Sequence, residues 1–215
     1  MNSPSPLPDG LARSISREAM VALPIGRYAG RTRVVATRED LEEARADLRE
    51  ERVVGLDTET RPAFKKGESH LPCLVQVAGA RAVYLFQLRR AESFPLLAGL
   101  LGDARIVKAG ISLADDMKSL ARVFPFGAEN LLDLGELARR NRFAQTGLRN
   151  LAGMALGFRI PKGAQTSNWA ATQLSDAQIA YAATDAWACR ELFLRFESLG
   201  LLRSKPAEGG AAGKA

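Results

Sequence analysis

The sequence is poor in the residues that form disulfides and nitrogen-based metal sites. Its 215 residues include two cysteines, Cys73 and Cys189, and a single histidine, His70. Two cysteines do not make the disulfide framework of a small secreted domain, and they fit a protein of the reducing cytosol. Any metal in this chain would therefore depend mainly on oxygen ligands, and we expect a cytoplasmic location.

The sequence also lacks a long apolar run. No stretch approaches the roughly 20 apolar residues that a helix needs to cross a bilayer. Residues 1–20 have no basic start followed by an apolar stretch, as a signal peptide would. We therefore expect no membrane partner. The formal net charge of +6 favours a polyanionic partner over a neutral one.

Composition divides the chain into three parts. Residues 1–30 are predicted to be an N-terminal extension, partly disordered because its first residues are rich in Pro, Ser and Gly. Residues 204–215, "SKPAEGGAAGKA", are predicted to be a flexible tail. Residues 31–203 form one domain, in which a group of strands is followed by alternating strands and helices. This order predicts the α/β class, with a mixed β-sheet flanked by α-helices.

The individual elements follow from hydrophobic periodicity and turn residues. The predicted strands cover 32–37, 52–59, 72–79, 81–88 and 104–110. The predicted helices cover 38–51, 93–103, 112–124, 134–142, 147–157 and 175–198.

Two carboxylates lie at the end of a buried strand, in "VVGLDTET". Asp57 and Glu59 share one side of this strand, and Thr58 faces the other, because side chains alternate along a strand. Two anions so close repel each other, and burial makes the repulsion stronger. The pair therefore needs a positive partner or contact with water.

Two predicted helices add further acids. Asp116 lies at the edge of the apolar stripe of helix 112–124, whereas Asp115 points to the solvated side. An ion pair with an arginine would also explain Asp116. Helix 175–198 is apolar around much of its circumference and carries Tyr181 and Asp185 as neighbours on one face. A buried aspartate must be paired or bound to a metal, and a hydrogen bond from Tyr181 would by itself satisfy Asp185.

Together these patterns place four carboxylates toward the core with few obvious cations to pair with them: Asp57, Glu59, Asp116 and Asp185. Oxygen ligands suit hard divalent cations such as Mg²⁺ or Mn²⁺. Two such ions can bind one phosphoryl group during an in-line displacement. A basic chain with this site is predicted to be a phosphodiester hydrolase.

Three segments in this order, "VVGLDTET", "KAGISLADDMKSL" and "YAATDAWA", resemble the DEDD superfamily of 3′–5′ exonucleases. The stretch "QTSNWAATQLSDAQIAYAATDAWA" is similar to the RNase D and Werner-type branch, and Tyr181 is typical of the Tyr version of the superfamily. The resemblance covers residues 31–203. It implies a single exonuclease domain with an RNase H-like (DnaQ-like) fold.

The resemblance also implies roles for individual residues. The implied ligands of two divalent ions, Mg²⁺ or Mn²⁺, are Asp57, Glu59, Asp116 and Asp185, with Asp116 reaching the second ion directly or through a water molecule. Asp57 would bridge the two ions, and Tyr181 would orient the attacking water. Glu59 and the backbone of Asp57 and Thr58 would lie near the 3′-terminal hydroxyl. The implied reaction releases 5′-mononucleotides from the 3′ end of single-stranded or 3′-overhanging DNA or RNA, and the oligomeric state is left open.

Polar and basic residues near the acids are candidates for substrate binding. With Thr58, the predicted substrate-binding residues are Arg61, Lys65, Lys66, Lys162, Gln165, Ser167 and Asn168. The first three would hold backbone phosphates, although an ordinary solvated turn would also explain them. The last four would line the substrate channel. Arg149 and the basic run 138–142 form a second cluster that could follow the strand.

Two alternatives are compatible with part of the pattern. A phosphatase of the haloacid-dehalogenase type also has an acid at a strand end, although its second acid is normally Asp and the Y-x-x-x-D segment would be unexplained. A non-catalytic nucleic-acid-binding module on the same fold is the other alternative. Degenerate copies of this kind usually lose a metal ligand, and none is missing here.

Overall fold

The computed structural model describes residues 11–63, 65 and 67–202. Within these residues six strands are formed: β1 (Arg31–Val34), β2 (Val53–Thr60), β3 (Pro72–Ala78), β4 (Ala82–Gln87), β5 (Val107–Gly110) and β6 (Leu131–Asp133). The helices are α1 (Arg17–Ala22), α2 (Arg38–Leu48), α3 (Phe94–Gly102), α4 (Leu113–Leu120), α5 (Leu134–Arg140), α6 (Leu148–Leu151) and α7 (Asp176–Ser198).

The strands form one mixed sheet in the order β1-β4-β3-β2-β5-β6. Strands β2, β3 and β4 are antiparallel neighbours, whereas the β1–β4, β2–β5 and β5–β6 pairs are parallel. The long strand β2 lies inside the sheet, so its end is flanked on both sides by other strands. The predicted mixed sheet flanked by helices is confirmed.

The sheet separates two hydrophobic layers. Val54 and Leu56 of β2 face one layer, which contains residues from α2, α3 and α4. Val53 faces the other layer, which contains residues from α5, α6 and α7. Because side chains alternate along a strand, Asp57 and Glu59 face the α7 layer and Thr58 faces the α4 layer. The end of β2 therefore presents polar groups to both layers.

Helix α7 approaches β2 very closely because Gly55 has no side chain. A Cβ placed on Gly55 would lie 1.9 Å from the carbonyl oxygen of Ala186 and 2.7 Å from the amide nitrogen of Arg190. The helix begins after Ser175, whose hydroxyl caps the amide of Gln178, while the Gln178 side chain accepts from the Ser175 amide. These contacts fix the position of α7 along β2.

The structure contains elements that the sequence patterns did not predict. Helix α1 and strand β6 are short, so neither shows a full period of hydrophobic residues. The predicted helix 147–157 consists of α6 and a π-helical turn over Ala152–Leu156, which ends at Gly157 with a φ of 74°. Residues 1–10 and 203–215 lie outside the described part, and the proposed division of the chain stays a prediction. No helix in the described part combines the length and apolarity required to cross a bilayer.

Candidate active site

Three carboxylates meet where β2 ends beneath α7. Oxygen atoms of Asp57, Glu59 and Asp185 all lie within 4.8 Å of one another. Asp57 and Glu59 share a face because they are two residues apart in a strand, and both are partly buried. Asp185 is 7% exposed, and the close packing of α7 on Gly55 brings it to this face. Of the four predicted ligands, three thus form a single cluster.

The clustering makes these carboxylates hard to ionise. Burial, followed by the charges of Asp185 and Asp116, raises the pKa of Asp57 well above its usual value. Burial and the neighbouring carboxylates, with Asp57 first, raise the pKa of Glu59 to about 9. Burial also raises the pKa of Asp185 to about 6. At neutral pH the cluster therefore favours protons or cations.

Asp116 approaches the cluster from the opposite face of the sheet. The Thr58 hydroxyl donates to Asp116 Oδ1 over 3.0 Å, which confirms that Thr58 faces away from Asp57 and Glu59. Burial raises the pKa of Asp116 to about 6, against the hydrogen bond from Thr58. Asp115 is exposed and pairs with Lys118 at 3.3 Å. The predicted orientations of the two neighbouring aspartates are confirmed, although Asp116 is not one of the three carboxylates within 4.8 Å.

Tyr181 lies one helical turn before Asp185 and is held from several directions. A side-chain hydrogen bond between the Tyr181 phenol and the Asp185 carboxylate lowers the pKa of Asp185. Arg149 Nη2 donates to the Tyr181 hydroxyl over 3.3 Å. The ring of Trp169, which is 1% exposed, lies 6.0 Å from the Tyr181 ring. Burial and the nearby carboxylates raise the Tyr181 pKa, so the phenol keeps its proton.

The cluster has the chemistry of a divalent-cation site. Asp185 Oδ1 is buried and has no hydrogen-bond partner among the described residues. Buried carboxylate oxygens are normally satisfied by a partner. The three acids offer only oxygen ligands, which Mg²⁺ and Mn²⁺ prefer. The residues present therefore fit such an ion.

Part of the predicted substrate channel adjoins the cluster. Gln165 borders a pocket of about 260 Å³ together with Arg149, Tyr181 and Asp185. Ser167 borders a second pocket of about 360 Å³, which also touches Tyr181. The Asn168 carbonyl accepts from the Gln178 side chain over 3.2 Å, which ties this loop to the first turn of α7.

In the described part, no hydrogen bond or ion pair joins Arg61, Lys65 or Lys162 to the three carboxylates. Arg61 follows β2 directly, is exposed, and lies 3.8 Å from Glu68. The backbone amide of Lys65 donates to the same glutamate, and the Lys65 side chain is exposed. Lys162 is exposed as well. Lys66 lies outside the described residues.

Two residues near the cluster were not predicted. Gln76 in β3 is fully buried directly opposite Asp57, and neither atom of its amide has a partner among the described residues. Gly55 allows the approach of α7. A glutamine within an apolar strand is a visible signal, but its position beside Asp57 depends on the register between β2 and β3. Arg149 was predicted only as part of a diffuse basic cluster, whereas it contacts Tyr181.

Comparison with known proteins identifies relatives of this chain. A profile described as 3′-5′ exonuclease matches residues 32–200. Ribonuclease D of Gluconacetobacter diazotrophicus is 33% identical over 164 residues, which make up 74% of this chain and 41% of that protein. The mouse bifunctional 3′-5′ exonuclease/ATP-dependent helicase WRN is 32% identical over 154 residues, 69% of this chain and 11% of that protein. The chain thus spans less than half of either relative.

Solved structures agree with the fold. The Nibbler EXO domain of Aedes aegypti has a TM-score of 0.72 at 22% identity, covering 81% of this chain and 92% of that one. Brucella melitensis NrnC bound to pGG has a TM-score of 0.63 at 25% identity, covering 80% of this chain and 85% of that one. The predicted RNase H-like fold and the resemblance to the RNase D and Werner-type branch are confirmed, and the haloacid-dehalogenase alternative is wrong. The chain belongs to the 3′–5′ exonuclease family.

Proposed function

We propose that this chain is a metal-dependent exonuclease that removes 5′-mononucleotides from the 3′ end of single-stranded or 3′-overhanging nucleic acid. The observation that carries the proposal is the cluster of Asp57, Glu59 and Asp185 within 4.8 Å, in a chain of the 3′–5′ exonuclease family. The exonuclease domain would comprise residues 31–203, with 1–30 and 204–215 outside it.

The four carboxylates would hold two ions, Mg²⁺ or Mn²⁺. Asp57, Glu59 and Asp185 would bind the first, and Asp57 would be shared with the second on the side of Asp116. When bound, the ions supply the positive charge that acidifies water and neutralises the scissile phosphate. The hydrogen bond from Thr58 would hold Asp116 in place for this role.

The protein's own residues would position the reacting groups. Tyr181 keeps its proton, so its hydroxyl can orient the attacking water while Arg149 fixes the phenol from the other side. Glu59 and the backbone of Asp57 and Thr58 would contact the 3′-terminal hydroxyl. Such positioning would lower the entropy cost of bringing the water to the scissile phosphate in the right orientation.

Basic and polar residues around the cluster would bind the strand. Arg61, Lys65 and Lys66 would contact phosphates next to the end of β2. Four residues before α7 would line the channel: Lys162, Gln165, Ser167 and Asn168. The net charge of +6 supports a polyanionic substrate. The names of ribonuclease D and of the NrnC complex with pGG support nucleic acid as that polyanion.

The test is a substrate panel with labelled 5′ ends. Single-stranded RNA and DNA, a duplex with a 3′ overhang and a dinucleotide are incubated with Mg²⁺ or Mn²⁺. We expect products that shorten from the 3′ end, 5′-mononucleotides on chromatography, and no reaction with EDTA. Asp185→Asn is the matched inactive control. Binding of these substrates without shortening in either metal would contradict hydrolysis and favour the non-catalytic module.

A further inference from the structure

Arg149 in α6 borders the carboxylate cluster but is not paired with a carboxylate in the described part of the chain. Its Nη2 donates to the Tyr181 hydroxyl over 3.3 Å, and its Nη1 donates to Gln165 Oε1 over 3.4 Å. Both acceptors are neutral. We propose that Arg149 binds the phosphate of the released 5′-mononucleotide, an inference that rests on the proposed function.

Arg149 borders a pocket that is large enough for a phosphate and has several hydrogen-bond donors in its wall. The pocket of about 260 Å³ is bordered by Arg149, Asn150, Gln165, Tyr181 and Asp185. Its wall thus carries a guanidinium, two amides and a phenol, all able to donate hydrogen bonds to phosphate oxygens. A guanidinium offers two parallel N–H groups that match two oxygens of one phosphate.

Two other arginines of the described structure are paired with carboxylates, unlike Arg149. Arg105 contacts Asp103 at 2.7 Å, and Arg139 contacts Glu136 at 2.6 Å. These guanidinium groups are already neutralised by carboxylates. Arg149 makes only long bonds to neutral oxygens, so its charge is available for an anion and its bonds can be exchanged for phosphate oxygens.

The position of Arg149 links the phosphate to the attack. Arg149 touches Tyr181, which would orient the water, and Tyr181 in turn contacts Asp185 of the cluster. The positive charge of Arg149 also acts on Glu59, whose pKa it lowers against the effect of burial. A phosphate bound by Arg149 would therefore lie beside the water-orienting phenol and near the carboxylates.

The inference is tested by calorimetric titration of nucleotides into the purified protein with Ca²⁺ present. The ligands are AMP, dAMP and adenosine, and the proteins are the wild type, Arg149→Met, Arg149→Lys and Arg122→Met. Arg122 is exposed beyond the end of α4 and provides a matched loss of charge. Of AMP and dAMP, one will bind the wild type more tightly. We expect Arg149→Met to lower the affinity for that nucleotide about tenfold or more, because a charge-assisted bidentate contact is lost. Arg149→Lys should lose less nucleotide affinity than Arg149→Met. The affinity for adenosine should be the same in all four proteins, and Arg122→Met should bind nucleotide as the wild type does.

Several results would overturn the inference. One is a nucleotide affinity of Arg149→Met within about twofold of the wild type. Another is an equal loss for adenosine and nucleotide, which would indicate packing instead of phosphate binding. Failure of the wild type to bind either nucleotide would do the same. An inactive wild type that still binds nucleotide through Arg149 would overturn the proposed function alone, because the titration does not depend on turnover.

Discussion

The acidic residues near the two ends of β2 lie in opposite electrostatic environments. At its beginning, Arg52 forms two hydrogen bonds with Glu197, and nearby Asp103 binds Arg105 through both carboxylate oxygens. The arginine lowers the pKa of Asp103 to about 2. At the other end, burial and neighbouring acids raise the pKa of Glu59 to about 9. Acidic residues thus form ion pairs with arginines at one end, and at the other they are crowded together without an ion pair in the described part of the chain.

The difference shows which charges serve the fold. Among the buried polar residues of the described part, Lys108 is the cation, and its ammonium donates to the Asp103 carbonyl over 2.8 Å, at the paired end. At the crowded end, the buried Asp185 Oδ1 has no hydrogen-bond partner among the described residues. Uncompensated anions destabilise a folded protein, and a bound divalent cation would offset that cost. The crowded end therefore fits a cation-binding site better than a stabilising role.

The largest effect should come from neutralising the crowded end. We expect Asp57→Asn to abolish nuclease activity and to stabilise the metal-free protein near neutral pH, because it removes a charge that burial and the neighbouring acids disfavour. Asp103→Asn removes a paired charge and should leave activity unchanged. The measurements are the substrate panel and urea unfolding in EDTA. Wild-type activity in Asp57→Asn would refute the comparison.

The second effect concerns the packing that creates the crowded end. In Gly55→Ala the new methyl group would overlap the Ala186 carbonyl. We therefore expect the free energy of unfolding to fall by about 1–3 kcal/mol or more. Displacement of Asp185 should also reduce activity about 10²-fold. Gly99→Ala is the control, because its Cβ would meet nothing within 4 Å in α3. It should stabilise the protein by about 0.5–1 kcal/mol. Unchanged activity in Gly55→Ala would show that the close approach is not required.

A smaller effect separates the two neighbouring aspartates of α4. We expect Asp116→Asn to reduce kcat by about 10–100-fold, because it would weaken the proposed site of the second ion from outside the three-carboxylate cluster. Asp115→Asn removes an exposed charge that pairs with Lys118, and it should retain full activity. Steady-state kinetics at saturating Mn²⁺ provides the measurement. Equal rates for both variants would show that Asp116 is not the fourth ligand.

The smallest effect is on the pH dependence of stability. In the metal-free fold the pKa of Asp116 and of Asp185 is raised to about 6 and that of Glu59 to about 9. The native state then binds more protons than the unfolded chain, so stability should fall as pH rises from about 5 to 9. Asp103, with its pKa lowered to about 2, acts oppositely and loses its contribution as pH falls from about 4 to 2.

Urea unfolding at about pH 5 and about pH 8 measures this dependence, with EDTA and with Mn²⁺. We expect the decline toward higher pH in EDTA to shrink when Mn²⁺ is present, because the cation takes the place of the protons. A decline of the same size with and without Mn²⁺ would contradict metal binding by the raised carboxylates.

Local patterns in the sequence determined much of this site. Alternation along 53–60 placed Asp57 and Glu59 on one side and Thr58 on the other, and helical phase distinguished Asp116 from Asp115. The positions of Tyr181 and Asp185 followed from their spacing on a long apolar helix. These predictions succeeded because a strand repeats every two residues and a helix every 3.6, so the direction of a side chain follows from the neighbouring residues.

Tertiary structure alone decided the rest. The register of β2 against β3 placed Gln76 beside Asp57, and the contact of α7 with Gly55 set the distance between Asp185 and Asp57. Tertiary packing also held Asp116 outside the cluster of three carboxylates and brought Arg149 into contact with Tyr181. Such contacts join residues far apart in the chain, and their geometry depends on how whole layers pack. Periodicity therefore determined which carboxylates point inward, and packing determined which of them meet.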